Sequence, residues 1–236
     1  MQSVPEKKVM VITGTSSGIG RYLAEYYIEA GYHVIGCSRK PASLENEYYS
    51  HYELDVAVEK DVKSMISDIA KKFKRIDVLV NNAGFASTNH LLLFPMKTAE
   101  SIIDTNILGT FLFCREAAKT MIKANWGRIV NIVSVDTPLK LEGTAVYAAS
   151  KAAIVNFTEV IARELAPYNI TVNAVGPSPV KTGLIHGIAE EKFTQMINRQ
   201  AIKRYCEFRD ISNVIDFYIN RSSDFITGQT MYLGGV

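Results

Sequence analysis

The sequence has 236 residues, 47% of them apolar, and a formal net charge of +2. That length fits one domain with a large core, and the near-balanced charge gives no reason to expect nucleic acid or an acidic membrane as partner. No apolar run approaches the ~20 residues of a membrane span, and the N-terminus lacks the basic-then-apolar plan of a signal peptide. Cys37, Cys114 and Cys206 are widely spaced and the histidines form no ligand-spaced pair, so the sequence reads as cytoplasmic and metal-free.

Residues 8–12 form a short apolar run of the kind found in a buried strand. It leads straight into T-G-T-S-S-G-I-G at residues 13–20, and Ile19, Leu23, Tyr27 and Ala30 then follow at helical spacing. Strand, glycine loop and helix together make a phosphate-binding unit. Gly14 permits a tight turn, Gly18 lets the backbone approach a pyrophosphate, and Gly20 lets the helix lie close to the strand. A glycine loop alone is a weak signal, and a plain flexible turn is the competing reading. A second strand over 33–37 ends at Ser38, Arg39 and Lys40. An acid at this place would accept from the adenosine ribose hydroxyls, whereas an arginine accommodates a 2′-phosphate. NADP(H) is therefore favoured over NAD(H), against the alternative of a solvated basic pair in a loop.

A third strand over 51–55 ends at Asp55, and a helix over 59–73 closes on the basic run 71–75, read as cations complementing a helix C-terminus. The fourth strand, 77–80, runs into Asn81, Asn82, Ala83 and Gly84, at the strand end where such sheets bind ligands. These asparagines can also brace the sheet while the backbone meets a cofactor. A long helix over 98–123 carries Asn106 and Gly109 in its interior, where both are poor helix formers. A local kink without chemistry and a buried amide with partners both remain open.

The run 128–133 is a strand, and Ser134 follows it. Tyr147 and Lys151 are four apart at the start of the next helix and so share one face. A phenol of pKa ~10 is a poor acid or base at neutral pH, and a fixed ammonium beside it is expected to lower that pKa toward the working range. Ser134 could hold a substrate oxygen against the same phenol. A strand over 169–175 ends in the loop with Pro177, Val180 and Thr182, and an amphipathic region at 183–205 reads as a substrate lid or as simple packing. A helix over 209–218 and a strand over 229–233 complete the alternation. The fold expected is a single α/β domain over 1–236: a Rossmann-type doubly wound parallel sheet of about seven strands with helices on both faces.

These motifs, in this order and over nearly the whole chain, resemble the classical short-chain dehydrogenase/reductase family. The matches are T-G-x-x-x-G-I-G at 13–20, Asp55 with Val56, N-N-A-G at 81–84, Asn106, Ser134, Y-x-x-x-K at 147–151, N-A-V-x-P at 173–177, Thr182, and I-T-G-Q at 226–229. Within the family the chain is similar to the 3-oxoacyl-carrier-protein reductases.

The resemblance implies a catalytic set of Asn106, Ser134, Tyr147 and Lys151. Tyr147 is the proton donor for carbonyl reduction, Ser134 binds the reacting oxygen, Lys151 lowers the phenol pKa and holds the nicotinamide ribose, and Asn106 positions a water. It also implies a cofactor site built from Gly14, Ser16, Ser17, Gly18, Ile19, Gly20, Ser38, Arg39, Asp55, Val56, Asn82, Ala83, Gly84, Tyr147, Lys151, Pro177, Val180 and Thr182. The implied substrate is a small carbonyl or alcohol, with a carrier-bound acyl chain as one form, and the implied assembly is a homo-oligomer, tetramer or dimer. An alcohol dehydrogenase acting on a sugar, sterol or other secondary alcohol is the alternative. A nucleotide-sensing protein without turnover has no chemical need for all four catalytic residues. Four positions depart from the family pattern: Ser178 after Pro177, Ser17 before Gly18, Cys206, and Leu233 before Gly234.

Overall fold

The computed structural model describes residues 7–181 and 190–236. Seven strands form one parallel sheet in the order β3-β2-β1-β4-β5-β6-β7. They are β1 (Val9–Thr13), β2 (His33–Ser38), β3 (Tyr49–Glu53), β4 (Val78–Asn81), β5 (Gly127–Ile132), β6 (Ile170–Gly176) and β7 (Thr230–Tyr232). Helices cover both faces, which is why β1, β4, β5 and β6 are buried throughout.

The pleat assigns alternate residues of β1 to opposite layers. Val9 and Val11 pack with α2 (Glu59–Phe73), α4 (Thr110–Ala124) and α6 (Ala145–Leu165), through Met65, Phe113 and Ile161. Met10 and Ile12 pack with α1 (Gly18–Glu29) and α8 (Phe208–Ile219), through Leu23, Tyr27 and Ile215. The strand order reverses direction at β1, between β2 and β4. Loops leaving these two C-terminal ends run to opposite sides and leave a crevice between them.

Some boundaries move for identifiable reasons. β3 pairs Val34 with Tyr49 through Ser38 with Glu53, so Asp55 lies beyond the strand rather than at its last position. Asn81 joins β4 because its side chain is buried in the layer, donating to Asn131 Oδ1 at 2.9 Å. The basic run closes α2 as expected: Lys71 and Lys72 sit in the last turn, Lys74 caps it in the left-handed conformation, and Arg75 turns back onto Asp77 at 2.6 Å.

The long helix is continuous from α3 (Met96–Ile103) to α4, but it widens into a π-helical stretch at Asp104–Gly109. Asn106 and Gly109, the two poor helix formers, both fall there. Both open readings hold at once, because the helix departs from α geometry and Asn106 is fully buried with partners.

A buried chain of side chains ties the sheet to the helix that carries Tyr147 and Lys151. Asn131 on β5 accepts from Asn81 and donates to Thr158 Oγ1 of α6 at 2.8 Å. Thr158→Val keeps the shape and strands the Asn131 amide, at a cost of about 1–3 kcal/mol. Thermal unfolding followed by circular dichroism should show a melting temperature lowered by roughly 3–10 °C. An unchanged melting temperature would mean that Asn131 finds another partner.

Candidate active site

The glycine loop sits where β1 meets α1. Gly14 and Gly18 adopt φ of +77° and +57°, which side chains rarely tolerate. A Cβ on Gly20 would lie 2.2 Å from the Gly14 carbonyl, so the helix can seat on the loop only without one. The loop is stitched to the β4 end. Asn82 and Ala83 backbone N–H groups donate to Thr13 Oγ1, and Asn82 Nδ2 donates to the Thr13 carbonyl at 2.8 Å. The Asn82 side chain therefore braces the crevice, and the backbone of 82–84 is what faces it.

The crevice is a cleft of about 1300 Å³. Gly14, Ser16, Ser17, Gly18 and Ile19 form one wall, with Ser38, Arg39, Lys40, Asp55 and Val56 at one end. Ala83, Gly84, Ser134, Tyr147, Lys151, Pro177 and Val180 line the rest. Gly20 does not face the cleft, because it is buried against the loop it supports. Asn106 lies one layer behind, bonded to the Phe85 backbone at 2.8 and 3.0 Å and to Ser150 Oγ at 2.9 Å. Thr182 and residues 183–189 of the expected lid lie outside the described residues. Helix α7 (Glu190–Arg199) contributes Phe193, Gln195, Met196 and Arg199 to the cleft.

A dinucleotide fits this wall. The left-handed Gly14 and Gly18 present no side chain at the N-terminal end of α1, where helix N–H groups attract a pyrophosphate. Exposed Arg39 and Lys40 stand at the end of β2, and no acid precedes them. The loop carrying Pro177 and Val180 is anchored at the family-divergent Cys206, whose N–H donates to the Pro179 carbonyl at 2.9 Å.

At the other end, α6 presents Tyr147 and Lys151 on one face. Lys151 is buried and donates to the Ile132 carbonyl at 2.8 Å, with its Nζ 6.0 Å from the Tyr147 ring centroid. Burial holds its pKa down at about 8. The Tyr147 phenol moves opposite to the sequence expectation. Burial pushes its pKa up, the Asp136 carboxylate adds to that, and a hydrogen bond with Ser134 works the other way. Desolvation outweighs the neighbouring ammonium, which is engaged with a backbone carbonyl, so Tyr147 is held as the protonated phenol.

Sequence reasoning missed Asp136, two residues beyond Ser134 at the start of the short helix α5 (Asp136–Leu139). It is 5% exposed and lines the cleft, and its Oδ1 meets no donor. Burial pushes its pKa up to about 6. Also missed was the relay behind Arg39, in which His51 Nε2 contacts Ser38 Oγ at 3.1 Å while Nδ1 meets Tyr49 Oη at 2.8 Å. Phe85 and Leu91–Phe94, which could by sequence line a pocket, the core or an interface, are absent from the cleft wall. Leu91–Leu93 form a 3₁₀ turn with 69–84% exposure.

The short chain dehydrogenase family model matches residues 8–192. A 3-oxoacyl-[acyl-carrier-protein] reductase from Staphylococcus epidermidis is 33% identical, over 97% of this chain and 98% of that protein. Among solved structures, ElxO with NADP bound superposes with a TM-score of 0.88 at 33% identity, covering 96% of this chain and 97% of that one. An NAD⁺-bound xylitol dehydrogenase superposes with a TM-score of 0.89 at 28% identity, covering 98% and 100%. Fold, motif order and full-length similarity agree, and the chain belongs to the short-chain dehydrogenase/reductase family as an NAD(P)-dependent oxidoreductase.

Proposed function

We propose that the protein is an NADP(H)-dependent reductase of a ketone, with 3-oxoacyl thioesters as the leading substrate class. The observation that carries this is the Tyr147 phenol held beside Ser134 in the cleft, its pKa pushed up chiefly by burial. In this reading Ser134 holds the substrate oxygen, and Tyr147 donates its proton to that oxygen as it gains negative charge. Lys151, ammonium below about pH 8, stabilises the phenolate that remains. NADPH supplies the hydride when bound. Gly14–Gly20 would hold its pyrophosphate, Asp55 and Val56 its adenine, and Arg39 with Ser38 its 2′-phosphate. Asn106 is a positioning residue that fixes the Phe85 backbone and Ser150 next to Lys151.

The similarity to ElxO and to the acyl-carrier-protein reductase supports NADP and an acyl substrate. Phe193 and Met196 offer apolar surface to such a chain. Exposed Ile103, Leu108, Phe111 and Val160 on the π-helical stretch and the neighbouring helices support a homo-oligomer assembled on that face. A second reading is oxidation of a sugar or other secondary alcohol. The polar cleft residues Ser134, Asp136, Lys140 and Glu142 favour it, as does the likeness to xylitol dehydrogenase.

Two variants test the assignment. Tyr147→Phe keeps the ring and removes the proton, so turnover should fall by about 10²–10⁴-fold while NADPH still quenches or enhances protein fluorescence with near wild-type affinity. Wild-type turnover in that variant would exclude Tyr147 as the acid. Arg39→Asp should weaken NADPH by roughly tenfold or more and shift preference to NADH in paired titrations. A retained preference would place the phosphate on Lys40 instead.

A further inference from the structure

The Arg39 end of the cleft is backed by a side-chain relay with no role in the chemistry described above. Ser38 Oγ donates to the Lys40 carbonyl at 2.6 Å, and both residues line the cleft on either side of exposed Arg39. Behind them, half-buried His51 brings Nε2 to 3.1 Å from Ser38 Oγ and to 3.1 Å from the same carbonyl. A hydroxyl has one proton, and Ser38 has placed it on Lys40. Nε2 therefore faces two acceptors and carries a hydrogen of its own. At the other ring nitrogen, Nδ1 meets Tyr49 Oη at 2.8 Å, and Tyr49 donates to Thr15 Oγ1 of the glycine loop at 2.8 Å. Gly36 of β2 pairs with His51 and makes room for this contact, since a Cβ there would collide with Thr15 Oγ1 and Tyr49 Oη. The ring is thus gripped at both nitrogens, between the glycine loop and the bend at residues 39–40.

We propose that His51 is a positioning residue for NADP(H) selection, whose Nε2–H holds the Lys40 carbonyl so that the Ser38 hydroxyl can turn to the 2′-phosphate beside Arg39. This rests on the reading of Ser38 and Arg39 as the phosphate end of the cleft. A carbonyl oxygen accepts two hydrogen bonds, and Lys40 receives one from Ser38 and one from His51. With a phosphate present, the hydroxyl rotates to the anion, which is a stronger acceptor than a carbonyl. His51 alone then keeps the bend closed and Arg39 in place. Without the imidazole, the hydroxyl must serve either the bend or the phosphate. NADH presents no phosphate here, so its binding does not draw on this exchange. His51 does not itself line the cleft, and it acts only through Ser38 and Lys40.

The test is paired calorimetric titration of NADPH and NADH into the full-length protein and its variants. The wild type should bind NADPH more tightly than NADH. His51→Leu should weaken NADPH by about tenfold and leave NADH within about twofold. His51→Gln, whose amide N–H can stand in for Nε2–H, should bring NADPH back to within about threefold of wild type. Should the leucine variant not fold, Tyr49→Phe releases the other side of the ring and should weaken NADPH alone, by about threefold. Equal weakening of both cofactors, an undiminished NADPH preference, or a glutamine variant as weak as the leucine one overturns the role of His51 and leaves the phosphate reading standing. Equal wild-type affinity for the two cofactors removes the phosphate reading and this inference together.

Discussion

The site depends on a stitch of backbone and side-chain hydrogen bonds across the point where the strand order reverses. The β1–β4 ladder stops at Ile12 and Val80, so the loops leaving the two strands need a further link. Thr13 and Asn82 supply that link. The Thr13 hydroxyl accepts two N–H groups from the β4 loop, and the Asn82 amide reaches the Thr13 and Gly14 carbonyls. The same contact sets the glycine loop against the β4 end, and Gly20 can approach because it has no Cβ. Both walls of the cleft are thereby referred to a single joint.

The far end of the cleft is organised by desolvation. Tyr147 is raised, Lys151 is lowered to about 8 and Asp136 is raised to about 6, each chiefly by burial. All three shifts favour the neutral form, as expected where water is excluded. For the phenol this means a proton ready to give, which suits reduction. For Asp136 it carries a folding consequence. A carboxyl whose folded pKa lies above its unfolded value favours the native state fully only below the unfolded value, and that advantage is lost as pH rises through about 6. Near neutral pH the protein therefore maintains a buried charge beside its reactive hydroxyls at some cost in stability.

The fold was legible because its determinants are local. Short buried strands such as β1 read as apolar runs, and Gly14, Gly18 and Gly20 fall at a spacing that lets loop and helix meet. The residues that line the cleft were equally legible where they sit at strand ends, since topology alone carries those ends to one side. What could not be read is whatever depends on contacts across the chain. Asn106 and Gly109 signalled a disturbed helix, but only the Val56 side chain opposite Gly109 and the Phe85 backbone opposite Asn106 show why it widens there. His51 carries no sequence signal, because its partner Ser38 lies on the neighbouring strand β2.

The pKa expectation for Tyr147 failed for a physical reason. Lys151 was expected to lower the Tyr147 pKa because four-residue spacing guarantees a shared face, yet spacing says nothing about depth. With Lys151 buried and Tyr147 partly so, the ammonium turns to the Ile132 carbonyl and desolvation sets the phenol. Asp136 is the converse case: a charged residue two positions after Ser134 reads as solvated until α5 folds it under the cleft. In each instance the residue type was visible and its dielectric surroundings were not, and those surroundings decide whether a side chain donates, accepts or only packs.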